Sequence, residues 1–347
     1  MKFDLASPHD EAFLRMHLWN TPMEGEVDLV FAREPDYFSI GKTQGDKIQT
    51  FIGKSDGDIK VSGIRATRLN RVNGKIQETG YLADLRIAKS SRNGFALLQA
   101  NRFLKKLHQE NPLPYYYVVI ADGNDRALKS LTVNFKGFPR FRDYGRMLSP
   151  LLLTGRKLKS CPELEKGSLK TLPEICAKLN ENKHQLAPYY TVNDFTSGKF
   201  PNFKVEDFLI IRQDSKIKAL AAVWDQSSFR QSVPLRYNGY YSWLRPVLNG
   251  VFSYGLPKAG QSIKTAYMAF TASDNSNDHR LLIHACLKYA KNKGFTHLVT
   301  GLHERDERSS LLAEFPKIPF AGRLFLVDYD NSEDLDDRVP FVEVATL

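Results

Sequence analysis

The sequence predicts an α/β protein in two tandem halves, each a mixed central sheet flanked by helices. Residues 81–107 run as strand, polar Gly-containing turn and helix, and strand-type and helix-type patterns alternate on both sides of that unit. After a basic connector at 154–168, punctuated by Pro and Gly, the same order of elements begins again. The expected division is therefore 1–153, a connector at 154–168, and 169–347.

The first half opens with a short strand at 1–5 and a helix at about 10–19 behind Ser7-Pro8. A second helical piece is expected at 31–38. Residues 48–52 and 58–68 read as strands joined by a Gly-containing turn at 53–57, and Asn73-Gly74 is a hairpin turn into the next strand. That strand, 81–87, puts Tyr81, Ala83, Leu85 and Ile87 on one side and Leu82, Asp84 and Arg86 on the other. A helix opens at Phe95, 115–120 is a buried strand, 124–131 is helical, and 141–153 supplies a closing strand.

In the second half, 171–182 and 189–196 read as helical, and 208–211 with 217–224 form a hairpin across Asp214-Ser215. A strand at 266–272, an amphipathic helix at 278–293 ended by Gly294, and strands at 296–302 and 323–329 complete the series.

A strand, a tight turn and a helix N-terminus form an anion cradle, because backbone N–H groups and the helix dipole point into the turn. Here the turn reads Ser91-Arg92-Asn93-Gly94-Phe95-Ala96. It resembles the acyl-CoA loop of the GNAT superfamily of N-acyltransferases, Arg/Gln-x-x-Gly-x-Gly/Ala, with Ser91 departing at the first position. Asn124, Ala127, Gly137 and Phe138 are similar to that superfamily's second motif, Asn-x-x-Ala-x-x-Leu-Tyr running on to Gly-Phe, with Leu131 where many members carry a catalytic tyrosine. The resemblance covers residues 63–138 best, and the element order of both halves agrees with it.

The resemblance implies acetyl-CoA or another acyl-CoA as cosubstrate. It would be held by Leu85 and Ile87 at the strand end, by Ser91, Arg92, Asn93, Gly94, Phe95 and Ala96 in the loop, and by Asn124. Transfer of an acetyl group to a small-molecule or peptide amine is the reaction it implies. Glu78 and Asp84 are the carboxylates of the 81–87 strand region, an even number apart and so on one face, and either could take the proton of an amine. Pairing with a neighbouring arginine is the structural alternative for each. With Leu131 at the tyrosine position the general acid is unassigned.

The second half's own loop, Ser273-Asp274-Asn275-Ser276-Asn277-Asp278, has no glycine and is acidic, which disfavours a pyrophosphate there.

A net charge of +10 calls for an anionic partner. Between Arg65 and Lys106 bases outnumber acids heavily, which suits the phosphates of coenzyme A better than nucleic acid, although a Fem-type, tRNA-dependent aminoacyltransferase also uses two such halves. A non-catalytic acyl-CoA sensor and a purely structural protein are the remaining readings. Three scattered cysteines imply neither a disulfide framework nor a metal knuckle, and the eight histidines lack metal-ligand spacing. His303-Glu304-Arg305-Asp306 reads as a solvated loop. The polar N-terminus and the absence of a membrane-length apolar run point to a cytoplasmic protein without a membrane partner.

Overall fold

The computed structural model describes residues 1–92, 94–131, 138–155, 164–329 and 334–347. Along the chain come β1 (Lys2–Leu5), α1 (Glu11–Asn20), β2 (Val27–Ala32), α2 (Gly41–Gln44), β3 (Lys47–Ser55), β4 (Asp58–Val72), β5 (Lys75–Ile87), α3 (Phe95–Glu110), β6 (Tyr116–Ala121), α4 (Asp125–Leu131), β7 (Arg140–Leu148) and β8 (Leu151–Leu153). Then follow β9 (Glu165–Lys166), α5 (Leu172–Asn180), β10 (Ala187–Pro188), α6 (Val192–Thr196), β11 (Phe208–Gln213), β12 (Lys216–Asp225), β13 (Gln231–Tyr237), α7 (Tyr241–Phe252), β14 (Thr265–Ser273), α8 (Ser276–Asn292), β15 (His297–Val299), β16 (Leu302–His303), β17 (Lys317–Ile318) and β18 (Ala321–Asp328).

Local turn chemistry places the hairpins where the sequence puts them. Asn73 and Gly74 both take positive φ (49° and 80°), which matches the twist of β4 and β5. Asp214 and Ser215 do the same between β11 and β12 (50° and 62°). The expected helix at 31–38 is absent. Val27 to Ala32 alternates half-buried and buried, the period of a strand, and pairs antiparallel with β13 as a two-stranded ribbon.

The first sheet runs β1-β3-β4-β5-β6-β18-β7-β16, with β10 also on β4, and the second runs β17-β8-β15-β14-β12-β11-β9. Each sheet therefore borrows a strand from the other end of the chain. Instead of closing the second series, the strand expected at 323–329 lies between β6 and β7 in the first sheet, with Leu324 opposite Val119 and Val327 opposite Tyr116. In return β8, expected to close the first half, pairs with β15 and β17. The segment expected as one strand at 296–302 divides, β15 entering the second sheet and β16 the first.

The physical consequence is a shared core. Leu324 and Leu326 of β18 pack with Ile64, Tyr81 and Tyr117, while Leu152 of β8 packs with Met268, Leu282 and Leu298. Neither sheet can keep its middle strand if the other half unfolds. His303 and Asp306 are almost fully buried rather than solvated: His303 Nε2 meets the Tyr144 carbonyl at 2.7 Å, and Asp306 pairs with Arg308 at 2.6 Å.

Truncating fully buried Leu324 removes packing that both halves depend on. Leu324→Ala should cost about 3 kcal/mol, and calorimetry should show one transition in parent and variant alike. Two separable transitions would contradict the interlocked arrangement.

Candidate active site

β5 and β6 are parallel, but they pair only at Gly80 with Tyr116 and Tyr81 with Tyr117. Gly80 is required there, because a Cβ would lie 2.0 Å from the Tyr116 ring. Above that point the strands part. The cause lies on the other edge of β5, where Ala83 opposes Ile64 and Arg86 opposes Ser62, so that Asp84 and Leu85 have no register partner on β4. Asp84 sits at the resulting bulge with φ 49°.

The extra residue reverses the alternation expected for this strand. Tyr81 and Ala83 pack with Ala66 and Tyr117, whereas Leu85 and Ile87 join Leu82 beneath α3, beside Phe51, Val61 and Ala96. Glu78 and Asp84 consequently do not share a face. Glu78 lies on the α3 side, where Lys47 Nζ approaches its carboxylate at 3.4 Å and its side chain is 40 % exposed. Asp84 turns to the opposite side and pairs with Arg33, with Arg86 4.0 Å away.

The second half repeats this construction residue for residue. β14 and β15 pair in parallel at Ala266 with Leu298 and Tyr267 with Val299, and the register against β12 skips Phe270, which has φ 51°. Tyr267 thus corresponds to Tyr81, and Phe270 to Asp84. What differs is occupancy. The Phe270 N–H donates to Glu343 Oε2 at 2.8 Å, and the Ala345 N–H donates to the other carboxylate oxygen at 3.2 Å. Burial pushes the Glu343 carboxyl up to about 6. The N-terminus of α8 is closed as well, since Asn275 accepts the Asp278 N–H at 2.9 Å. Asp274 is neutralised by Lys178 and by Lys218 at 3.8 Å, so this loop is closed by its own side chains rather than by bare negative charge.

In the first half the same place is open. α3 begins at Gly94, φ 81°, a residue with no side chain of its own to cap the helix, and has no acid in the first turn and free space where a Cβ would stand. Ser91 donates its N–H to the Ala88 carbonyl, Arg92 Nε donates to the Ile87 carbonyl at 3.1 Å, Phe95 is exposed, and Ala96 is buried under the helix. Asn93 and Gly137 lie outside the described residues. Asn124 caps α4, accepting the Ala127 N–H at 3.2 Å.

Three cations gather round one acid here. Lys89 Nζ is 2.7 Å and Arg92 Nη1 3.9 Å from Glu24, and Lys89, Arg92 and Arg126 together hold the Glu24 carboxyl below its usual value. The wider basic cluster disperses, because neighbouring strand positions face opposite ways. Arg65 is buried on the Tyr116 hydroxyl, Arg68 on Thr346 Oγ1, and Arg71 reaches the Gly74 and Asn180 carbonyls.

Below the cradle, Ala127, Leu128 and Leu131 of α4 pack with Leu82 and Val118 and are only half-buried, forming an apolar patch beside the parted strands. α8, the counterpart of α3, buries Leu282, Ile283 and Cys286 much as α3 buries Ala96, Ala100 and Leu104. Sequence reading missed Arg33, Glu24, Arg126 and Glu343. The alternation in 27–32 would have exposed Arg33, and a lone acid in Phe341-Val342-Glu343-Val344 was a signal for a buried carboxylate.

No protein-family model and no curated protein matches the sequence. Solved structures do match the fold. A Saccharomyces cerevisiae N-myristoyltransferase with bound myristoyl-CoA superposes with TM-score 0.64 at 10% identity, over 97% of this chain and 83% of that one. A second structure of that enzyme with myristoyl-CoA gives 0.63 at 11% identity over 98% and 89%, and one with inhibitors as well gives 0.60 at 11% identity over 99% and 86%. The chain thus has the N-myristoyltransferase fold, that of a GNAT acyl-CoA N-acyltransferase built from two GNAT-like halves.

Glu343 makes stability depend on pH in a definite direction. The folded chain keeps this proton up to about pH 6, whereas the unfolded chain releases it near 4.5. Stability should therefore fall as pH rises through that window, by about 2 kcal/mol from this group. Urea titrations from pH 4 to 7 should show the fall in the parent and not in Glu343→Gln; equal slopes would contradict it.

Proposed function

We propose that the chain is an acyl-CoA-dependent N-acyltransferase that binds its donor in the first half only. One observation carries this reading: the bulged β5–β6 pair lies beside a helix that starts at Gly94 with no acid in its first turn, while its internal copy is closed by Glu343 and Asn275. Pyrophosphate would sit on the first turn of α3 and compete with Glu24 for Lys89, Arg92 and Arg126. The pantetheine arm would follow the parted edge of β5 past Ile87 and Leu85.

The amine nitrogen attacks the thioester carbonyl carbon, and backbone N–H groups at the Asp84–Leu85 bulge take the developing oxyanion. The C–S bond then breaks, the thiolate collects a proton, and the ammonium proton leaves to a carboxylate. Asp84 has the position for that role, directly or through water, although Arg33 already engages one of its oxygens. Glu78 faces the wrong side. Leu131 is packed in the apolar cluster with Phe325 and Val327 and supplies no acid.

The half-buried apolar patch of Leu82, Val118 and Leu128 favours an acyl chain longer than acetyl, in keeping with the myristoyl-CoA bound by the yeast enzyme. The acceptor is an amine, free or on a peptide.

Titration calorimetry should return one CoA per chain. Gly94→Glu should weaken it by about 100-fold or more, since a side chain must adopt φ 81° and place negative charge at the pyrophosphate. Glu24→Gln should tighten it by removing the competing anion. Two equivalent sites, or unchanged affinity in Gly94→Glu, would refute the assignment.

Turnover supplies a separate check. With an acyl-CoA series from acetyl to myristoyl and a panel of amines, Asp84→Asn should lower thiol release by about 10²-fold while Glu78→Gln leaves it unchanged. CoA binding without turnover on any amine would instead indicate a sensor.

A further inference from the structure

The face of β5 that carries Tyr81 and Asp84 meets a set of arginines that no part of donor binding uses. Arg33 is fully buried, lies 4.4 Å above the Tyr37 ring, and pairs through Nη2 with Asp84. Its other terminal nitrogen, Nη1, is buried and has no hydrogen-bond partner among the described residues. Arg86 reaches the same carboxylate at 4.0 Å and donates to the Thr21 carbonyl at 2.7 Å. From the second half Arg230 stacks over Tyr267 at 5.0 Å, with Nη1 3.3 Å from Gln226 Oε1.

These groups feel one another. Burial first, and then the charges of Arg86 and Arg230, drive the Arg33 guanidinium down to about 10, and Arg33 and Arg230 both act on the Tyr81 hydroxyl. The neighbouring acid Glu34 is already taken, by Arg15 and by Trp19 Nε1 at 3.1 Å. Arg33 and Arg86 thus share one carboxylate, and Arg230 lies beside Arg33 because Gln231 opposes Ala32 in the β2–β13 ribbon. Buried charge without a counterion is costly, and a guanidinium with an unused edge matches a planar carboxylate.

We propose that Arg33 and Arg230, with Arg86 behind them, bind the carboxylate of the acceptor, so that the substrate is an amine that also bears a carboxylate, of the amino-acid class. The inference rests on the acyl-transfer reading, since a carboxylate held here would set the acceptor's amine beside the Asp84 bulge where the thioester carbonyl would lie. It also gives a role to Arg230, which the pairing of Gln231 with Ala32 in the β2–β13 ribbon sets beside Arg33. The second half would then contribute to acceptor binding while holding no donor of its own.

The test uses two amides that differ only at the acceptor end, N-octanoylglycine with a carboxylate and N-octanoylethanolamine with a hydroxyl. Each is titrated calorimetrically into the full chain, with and without saturating CoA. The carboxylate amide should bind at least about tenfold more tightly. Arg230→Met should erase that preference with CoA affinity unchanged, and Arg230→Lys should retain part of it. Arg33→Lys, which keeps a cation beside Asp84 and so protects folding, should reduce it as well. Equal affinity of the two amides for the parent, absence of binding by both, or a preference intact in both Arg230→Met and Arg33→Lys would overturn the proposal. Failure of CoA to bind would bring down the acyl-transfer reading instead, and the titrations without CoA still decide this one.

Discussion

A parallel strand pair joined at its base and forced apart above it is the constraint on which the rest of this structure depends. Tyr116 occupies the space that Gly80 leaves, so β5 and β6 are held at that level. One residue too many on β5, at Asp84, then interrupts the ladder to β4, which resumes at Arg86, while the pairing with β6 stops at Tyr81. A sheet normally consumes its own backbone donors and acceptors. Here a short run is released, and it is released next to a helix N-terminus. The chemistry proposed for the protein follows from that pairing of a released strand edge with a helix dipole that begins at a glycine.

The same construction stands twice in the chain, so its second copy is an internal control. At Phe270 the released N–H is consumed by Glu343, and at α8 the orphan donors are met by Asn275. Neither closure needs a change of fold. One buried acid and one asparagine suffice for both closures. The reciprocal exchange of β8 and β18 ties the copies together, so the closed half still serves the open one by holding its sheet.

Net charge proved a poor guide to where the charge acts. Arg65, Arg68 and Arg71 are neighbours in sequence, yet alternation sends them to opposite faces, where each satisfies a hydroxyl or a carbonyl. The cations that do converge come from distant segments: Lys89, Arg92 and Arg126 round Glu24, and Arg33 and Arg86 round Asp84. Coulomb interactions fall off over a few ångströms near a protein surface, so spatial rather than sequential proximity decides which of them form a site.

By itself the sequence determined whatever rests on local chemistry. The hairpins at Asn73-Gly74 and Asp214-Ser215, the start of α3 at Gly94 and the repeated element order were all legible, because turn residues and hydrophobic periods act over a few positions. The tertiary structure decided what depends on distant partners. A bulge is defined by the strand opposite, so nothing within residues 81–87 betrays that Leu85 and Ile87 change face. The destinations of β8 and β18 are set by which sheet leaves a gap beside β15 or β6, and the pairing of Arg33 with Asp84 by a ribbon whose other strand lies some two hundred residues away. Local pattern specifies an element; only packing specifies its neighbours.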